Sequence, residues 1–433
     1  MKPLHSIVAA LLLGAGTLAQ AGIIDYDFTT CGASGATGGT QAMCDATYSG
    51  TSLEGMVTVP DAPARYGPLA GKIIAGAEQE GRLYAIGADG SVTYYEFGVN
   101  VEDIEDLILG CAFPEAEQGF NMARLVVFLA GLPISVAGTT INRFCGSSMQ
   151  SIHNAAGAIQ MGAGDVYICA GVESMSRVPM TGFNPMPHPT LSETVPGAYM
   201  SMGETAENVG REYNIDRAEQ QDFAVASQQK AAQAQSEGKL ADEIVPITVN
   251  GNVVDSDGCL RPDTTVDGLS GLKLAFDENG TVTAGTASPL TDGAAATLVC
   301  SEEYAERKGL EPIARIRSIA VSGCKPETMG LGPIFSSRKA LVRAEIDASD
   351  LDVIEINEAF ATQSIASIRD LKLDVTKVNV DGGAIAIGHP LGATGARITG
   401  KAAQILKRDG GRYALSTQCI GGGQGIATVM EAL

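Results

Sequence analysis

From Val101 onward the apolar positions change period in a repeating order. "VEDIEDLILG" reads as a turn feeding a strand, and "FNMARLVVFLAGLP" keeps helical spacing until Gly131-Leu132-Pro133 stops it. "VAGTTIN" is strand-like. Past Cys145, apolar residues Met149, Ile152, Ala156 and Ile159 recur at helical intervals, and "GAGDVYICAG" supplies a turn and a buried strand. The order returns near the C-terminus. "ASDLDVIEIN" echoes "VEDIEDLILG", and the stretch from "KVNVDGG" to "YALSTQ" again runs strand, Gly-rich turn, helix, strand, with Ile398, Ala402, Ile405 and Leu406 on one helical face. Two units of like design predict an internal duplication within an α/β fold.

Between the units, Arg177 to about Ala284 is irregular, with Pro and Met clusters and one polar helix in "DRAEQQDFAVASQQKAAQAQ". It reads as an insertion on the first half. Residues 22–100 are rich in Gly, Thr, Ala and Ser, with strand-like pieces around a turn signal at Asp89-Gly90 and no catalytic motif. The expected organisation is a first half over 101–176 and 285–311, an inserted domain over 177–284, and a second half over 312–433.

Composition narrows the function classes. The chain has 433 residues, 45% apolar, 5% aromatic and no tryptophan, which suits close-packed α/β layers. A net charge of −21 argues against a general nucleic-acid binder, because few cations are available to neutralise phosphates. After the first two dozen residues no run is long and apolar enough to span a bilayer. Residues 1–21 differ: Lys2, an apolar stretch from Ile7 to about Ala19 and "AQA" before Gly22 form a secretory signal pattern. Cys31 and Cys44 are spaced for a small disulfide loop in an oxidising compartment, whereas the other seven cysteines are scattered singly, as in a reducing one. The two ends of the chain therefore imply different addresses.

Cys145 stands where a strand gives way to small residues and a helix. The positive end of a helix favours a thiolate, and the following Gly and Ser leave N–H groups free for an oxyanion, although a buried cysteine also serves as plain packing. His389, in "GGAIAIGHPLGATGAR", occupies the corresponding turn of the second unit. Cysteine with histidine is an activated nucleophile, and the alternative is a histidine capping a tight turn. Cys419 in "STQCIGGGQG" ends a strand and is a candidate acid or base. Asn357 and Glu358 in "EINEAFA" end another strand, where ligand groups gather in α/β folds, or else cap a helix. His153 and His188 lack such surroundings and read as structural; His5 falls in the signal-like segment.

These stretches, with "EQGFNMAR", "AGVESMSRVPM", "MGETAENVG", "GTVTAGTASPLTDGAAA" and "CIGGGQG", resemble the thiolase family, most closely its degradative 3-ketoacyl-CoA thiolase branch, over about residues 101–433. The resemblance implies a five-layer αβαβα fold of two similar halves with a loop domain inserted in the first. It implies Cys145 as acyl-accepting nucleophile and His389 as its proton acceptor. Asn357 would hold a water of one oxyanion site, and Cys419 would be the second acid and base. The N–H groups of Cys145 and Gly421 would form the other oxyanion site. Met202, Ala284, Ser288 and Phe360 match positions along the pantetheine channel. No metal and no permanently bound cofactor are implied; CoA and acyl-CoA are substrates, and family members are homodimers or homotetramers in the cytoplasm. Short-chain biosynthetic members often carry histidine where this chain has Ser201, which favours the degradative branch over acetyl-CoA condensation. A ketoacyl synthase-like enzyme would lack the second cysteine. The departure is at the front: the family's opening strand with its "RTP-G" turn, and the helix after it, are not found. That departure supports a third reading, an exported fusion or interaction protein with an inactive, truncated fold.

Overall fold

The duplicated pattern folds into matching halves of one hydrogen-bonded run of strands. In this computed structural model residues 99–249 and 252–433 are described, preceded by isolated backbone strands. These are β1 (Ser6–Ala9), β2 (Glu54–Thr58), β3 (Ile73–Ala77), β4 (Arg82–Ile86) and β5 (Val92–Glu96). Strands β2 to β5 make an antiparallel sheet in sequence order, with β4 and β5 flanking Asp89-Gly90. Cys31 and Cys44 lie outside the described residues.

The first half contains β6 (Ile104–Gly110), β7 (Ala137–Ile141) and β8 (Val166–Ser174). Strand β6 runs parallel to both of the others. A small hairpin of β9 (Ile247–Val249) and β10 (Asn252–Val254) lies between β8 and β11 in the chain, and β11 (Asp292–Ser301) returns antiparallel to β8. The second half contains β12 (Ala314–Gly323), β13 (Val353–Ile356), β14 (Tyr413–Ile420) and β15 (Gln424–Glu431). Here β13 is parallel to β14, β15 is antiparallel to β14, and β12 is antiparallel to β15. Thus "VEDIEDLILG" and "ASDLDVIEIN" fill equivalent places, and the expected duplication is visible in strand direction.

The full order is β13-β14-β15-β12-β1-β11-β8-β6-β7. Strand β1 pairs antiparallel with β11, as β12 does with β15, and also meets β12 across the seam. The reading of a first half without its opening strand therefore meets a four-residue strand from the segment read as a signal peptide. The other residues of 1–21 lie outside the described part.

Helices fill in where the sequence places them. The first, α1 (Met122–Leu129), is followed by Gly131 at φ +68°. Next, α2 (Ser147–Met161) buries Met149, Ile152 and Ala156 and ends at Gly162, whose left-handed backbone returns an N–H to Ala158 and Ile159. Between β8 and β11, α3 (Met202–Tyr213) precedes the polar helix α4 (Arg217–Ser236), started by Asp216 accepting from the Glu219 N–H at 2.9 Å. Helix α3 was not legible from periodicity, because Gly203 and Gly210 dilute its pattern; a capping box between Ser201 and Glu204 starts it. In the second half come α5 (Gly332–Ala344), the almost wholly buried α6 (Ala361–Leu371) and α7 (Thr394–Asp409). Helix α7 buries Ile398, Ala402, Ile405 and Leu406, as the spacing predicts.

Equivalent helices α2 and α7 meet at their first turns. The Ala396 N–H donates to Ser148 Oγ at 2.9 Å and the Ser148 N–H to Gly392 O at 3.2 Å. A side chain at Gly395 would overlap the backbone of Met149. Gly395→Val is expected to force these turns apart and cost roughly 1–3 kcal/mol or more, as overpacking does. Urea unfolding measures it, and an unchanged midpoint would contradict this close approach.

Candidate active site

The nucleophile position is built by a strained turn. After β7, Phe144 takes φ +43°, uncommon for a residue with a side chain. Three bonds hold it there. Its N–H donates to Asn142 Oδ1 at 2.7 Å, Ser147 Oγ donates to its carbonyl at 2.6 Å, and the Arg143 N–H donates to Ser147 Oγ at 2.9 Å. The turn places Cys145 immediately before Gly146, the N-cap of α2. Gln418 Nε2, from β14, donates to the Cys145 carbonyl and ties the two halves together.

Cys145 is 8% exposed and packs with Ala112, Met175 and Leu391, the last from the histidine loop. Its thiol is pushed up to about 12, mainly by burial and further by the Glu173 charge; the Gly421 N–H acts against them. The helix start alone thus does not yield the resting thiolate that the sequence pattern suggests. Burial outweighs it.

His389 is buried, and burial, followed by the Arg397 charge, lowers it to about 3. Its tautomer follows from its neighbours. Thr394 Oγ1 donates to Pro390 O at 2.9 Å, so at 2.6 Å it accepts from His389 Nδ1–H. That leaves Nε2 unprotonated, 3.2 Å from Asn357 Nδ2, which donates to it. The His389 backbone N–H donates to Thr291 Oγ1 at 2.9 Å. A neutral imidazole with an unprotonated nitrogen is the form a general base requires. Asn357 Oδ1 is buried without a partner, an acceptor suited to a water.

Cys419 is fully buried at the end of β14, raised by burial and then by the Cys145 sulfur facing it. It packs with Ala287, Phe360 and Met202. Beyond Gly421, Gly422 and Gly423 take left-handed backbone, turning the Gly421 N–H toward Cys145. Cys145 thus faces Cys419 and the Gly421 N–H, and His389 pairs with Asn357 on a loop whose Leu391 packs against Cys145. Of the channel positions, Ser288 donates twice to Ala359 O, beside Phe360, whose ring meets Phe276 edge-on at 5.9 Å. Met202 opens α3 and Ala284 is exposed. His153, read as structural, is buried against Thr428 Oγ1 at 2.9 Å, and His188 caps a short helix. Sequence reasoning missed Thr394, Thr291, Gln418 and Glu173. Thr394 alone had a local signal, five residues after His389.

A duplicated α/β fold with two cysteines, a neutral histidine and an asparagine on strand ends and on the turns before its two matching helices defines an acyl-transferring enzyme of the thiolase class. The thiolase N-terminal domain family matches residues 90–303 and the thiolase C-terminal domain family residues 310–432, so the chain belongs to the thiolase family. It is 48% identical to a 3-ketoacyl-CoA thiolase of Bacillus subtilis (strain 168), over 76% of this chain and 88% of that one. It is 49% identical to a 3-ketoacyl-CoA thiolase of Aliivibrio fischeri (strain ATCC 700601 / ES114), over 77% and 88%. The crystal structure of human mitochondrial 3-ketoacyl-CoA thiolase in complex with CoA superposes with a TM-score of 0.71 at 39% identity, over 77% of this chain and 88% of that one.

Proposed function

We propose that the chain cleaves 3-ketoacyl-CoA with CoA, giving acetyl-CoA and a shortened acyl-CoA, as in fatty-acid β-oxidation. The observation that carries this reading is Cys145 of the first half facing Cys419 of the second, with a neutral His389 bonded to Asn357 on the loop whose Leu391 packs against Cys145. His389 Nε2 takes the Cys145 proton as sulfur attacks C3 of the substrate. The C2–C3 bond breaks, and its electron pair leaves as the enolate of acetyl-CoA, which Cys419 protonates. Cys419 thiolate then takes the proton of incoming CoA, whose sulfur displaces Cys145 from the acyl group. His389 returns the first proton. Two easier steps replace one difficult step.

The oxyanions of the tetrahedral states fall to the N–H groups of Cys145 and Gly421, and to a water on Asn357 with His389. Met202, Ala284, Ser288 and Phe360 line the arm of CoA, which acts as a co-substrate. Homodimeric or homotetrameric assembly and a reducing, cytoplasmic location belong to the same reading, since both thiols must stay free.

Purified protein given acetoacetyl-CoA or a longer 3-ketoacyl-CoA should form acetyl-CoA only when CoA is added. Cys419→Ala should lower that turnover by about 10²–10⁴, because a positioned acid–base group supplies that much. Cys145 should still accept an acyl group, seen as an intact-mass increase. Full turnover by Cys419→Ala would overturn the second-cysteine role.

A further inference from the structure

Glu173, at the end of β8, is a buried carboxylate that the mechanism above does not use; it is 2% exposed. It accepts from the N–H of Ala112 at 2.8 Å, the N–H of Phe113 at 3.3 Å, Gln118 Nε2 at 2.8 Å and the N–H of Gly392 at 2.9 Å, with Cys111 Sγ at 3.7 Å. Every one of these donors is neutral. A buried carboxylate is costly unless its oxygens are filled, and several N–H groups fixed around it are how that cost is offset.

The donors come from separate parts of the chain. Ala112, Phe113 and Gln118 follow β6, whereas Gly392 lies three residues after His389 in the other half. Gly392 sits in a notch between the ends of β6 and β8. A side chain there would come within 2.6 Å of Val172 O and 2.8 Å of Gly110 O. Its carbonyl accepts the N–H of Ser148, three residues after Cys145. Glu173 therefore holds a residue of the His389 loop that also bonds the nucleophile's helix through Ser148.

We infer that Glu173 is a positioning residue for acyl transfer, locking the loop of His389 against the first turn of α2 so that Nε2 stays aligned with the Cys145 sulfur. The inference rests on the reading of Cys145 and His389 as the reacting pair. Its electrostatic side is separate. Facing Cys145 are Glu173 from β8 and, from the second half, Cys419 and the Gly421 N–H, while Leu391 of the loop that carries neutral His389 packs against it. Facing Glu173 is the Cys111 thiol, pushed up to about 12 by burial and then by Glu173 itself. The Glu173 charge thus opposes ionisation of Cys145, and its removal makes the thiol easier to ionise.

The test uses Glu173→Gln and Glu173→Asp in the full chain. In Glu173→Gln, kcat should fall about 10- to 100-fold, as a misplacement near 1 Å does, with KM for CoA within about twofold. Iodoacetamide alkylation of Cys145, followed by peptide mass spectrometry, should reach its midpoint at lower pH than in the wild type. Glu173→Asp keeps the charge but shortens the reach, so its alkylation midpoint should return toward wild type while kcat stays low. A kcat within about twofold of wild type, or an unmoved alkylation midpoint in Glu173→Gln, would overturn the inference. If Glu173→Gln does not fold, Gln118→Ala removes one donor and should move the alkylation midpoint the opposite way, to higher pH; an unmoved midpoint there overturns it too. Alkylation needs no turnover. An inactive wild type with Glu173-dependent alkylation would sink the proposed function, and the positioning role with it, leaving only the effect of the Glu173 charge on the Cys145 thiol. An active wild type with an unchanged kcat in Glu173→Gln would sink the positioning role alone.

Discussion

Cys145→Ala is expected to lower thiolytic turnover by roughly 10⁴- to 10⁶-fold while leaving the melting transition close to that of the wild type. The size follows from the chemistry: without the sulfur no acyl-enzyme forms, and what is left is whatever the oxyanion donors contribute to direct attack by CoA. The small structural effect follows from the surroundings. Cys145 packs lightly among Ala112, Met175 and Leu391, and its carbonyl, not its side chain, takes the bond from Gln418. Intact-mass measurement after mixing with 3-ketoacyl-CoA should show an acyl adduct on the wild type and none on the variant. Turnover above about a hundredth of wild type would move the nucleophile elsewhere, with Cys419 the next candidate.

What the sequence made legible has a physical pattern. Cys145 and His389 could be found because each sits at a turn whose constraints are local: small residues after the cysteine, Pro390 and glycines around the histidine. The helical faces of α2 and α7 were equally plain, because burial of Met149, Ile152, Ile398 and Ile405 imposes the 3.6-residue period directly. Glu173 was not legible as a clamp. Its partners Ala112 and Gly392 donate backbone N–H groups, which any residue type supplies, from 61 and 219 positions away. The thiol's resting state was misread for a related reason, since the helix start is a local feature and burial is not. Strand β1 was hidden differently: an apolar run before "AQA" serves equally as a signal segment and as a strand between β11 and β12.

Replacing His389 by alanine is the sharper test of the site, because the wild type has an unusual pH dependence. Free imidazole titrates near pH 6.5, so an exposed histidine base would be protonated on acidification through that range. Here burial lowers His389 to about 3, and burial raises Cys145 to about 12. Between these limits both groups are neutral, and the proton moves only as the sulfur attacks. The acylation rate should therefore cross the ordinary imidazole range without an inflection. In His389→Ala no base remains, and attack depends on the small thiolate fraction of Cys145. The rate should fall by about 10²–10⁴ at neutral pH and then climb about tenfold with each pH unit. A residue that merely shaped the turn would reduce the rate and leave the profile flat. Pre-steady-state acylation measured across pH in both proteins separates these outcomes, and a flat profile in the variant would remove the general-base role from His389.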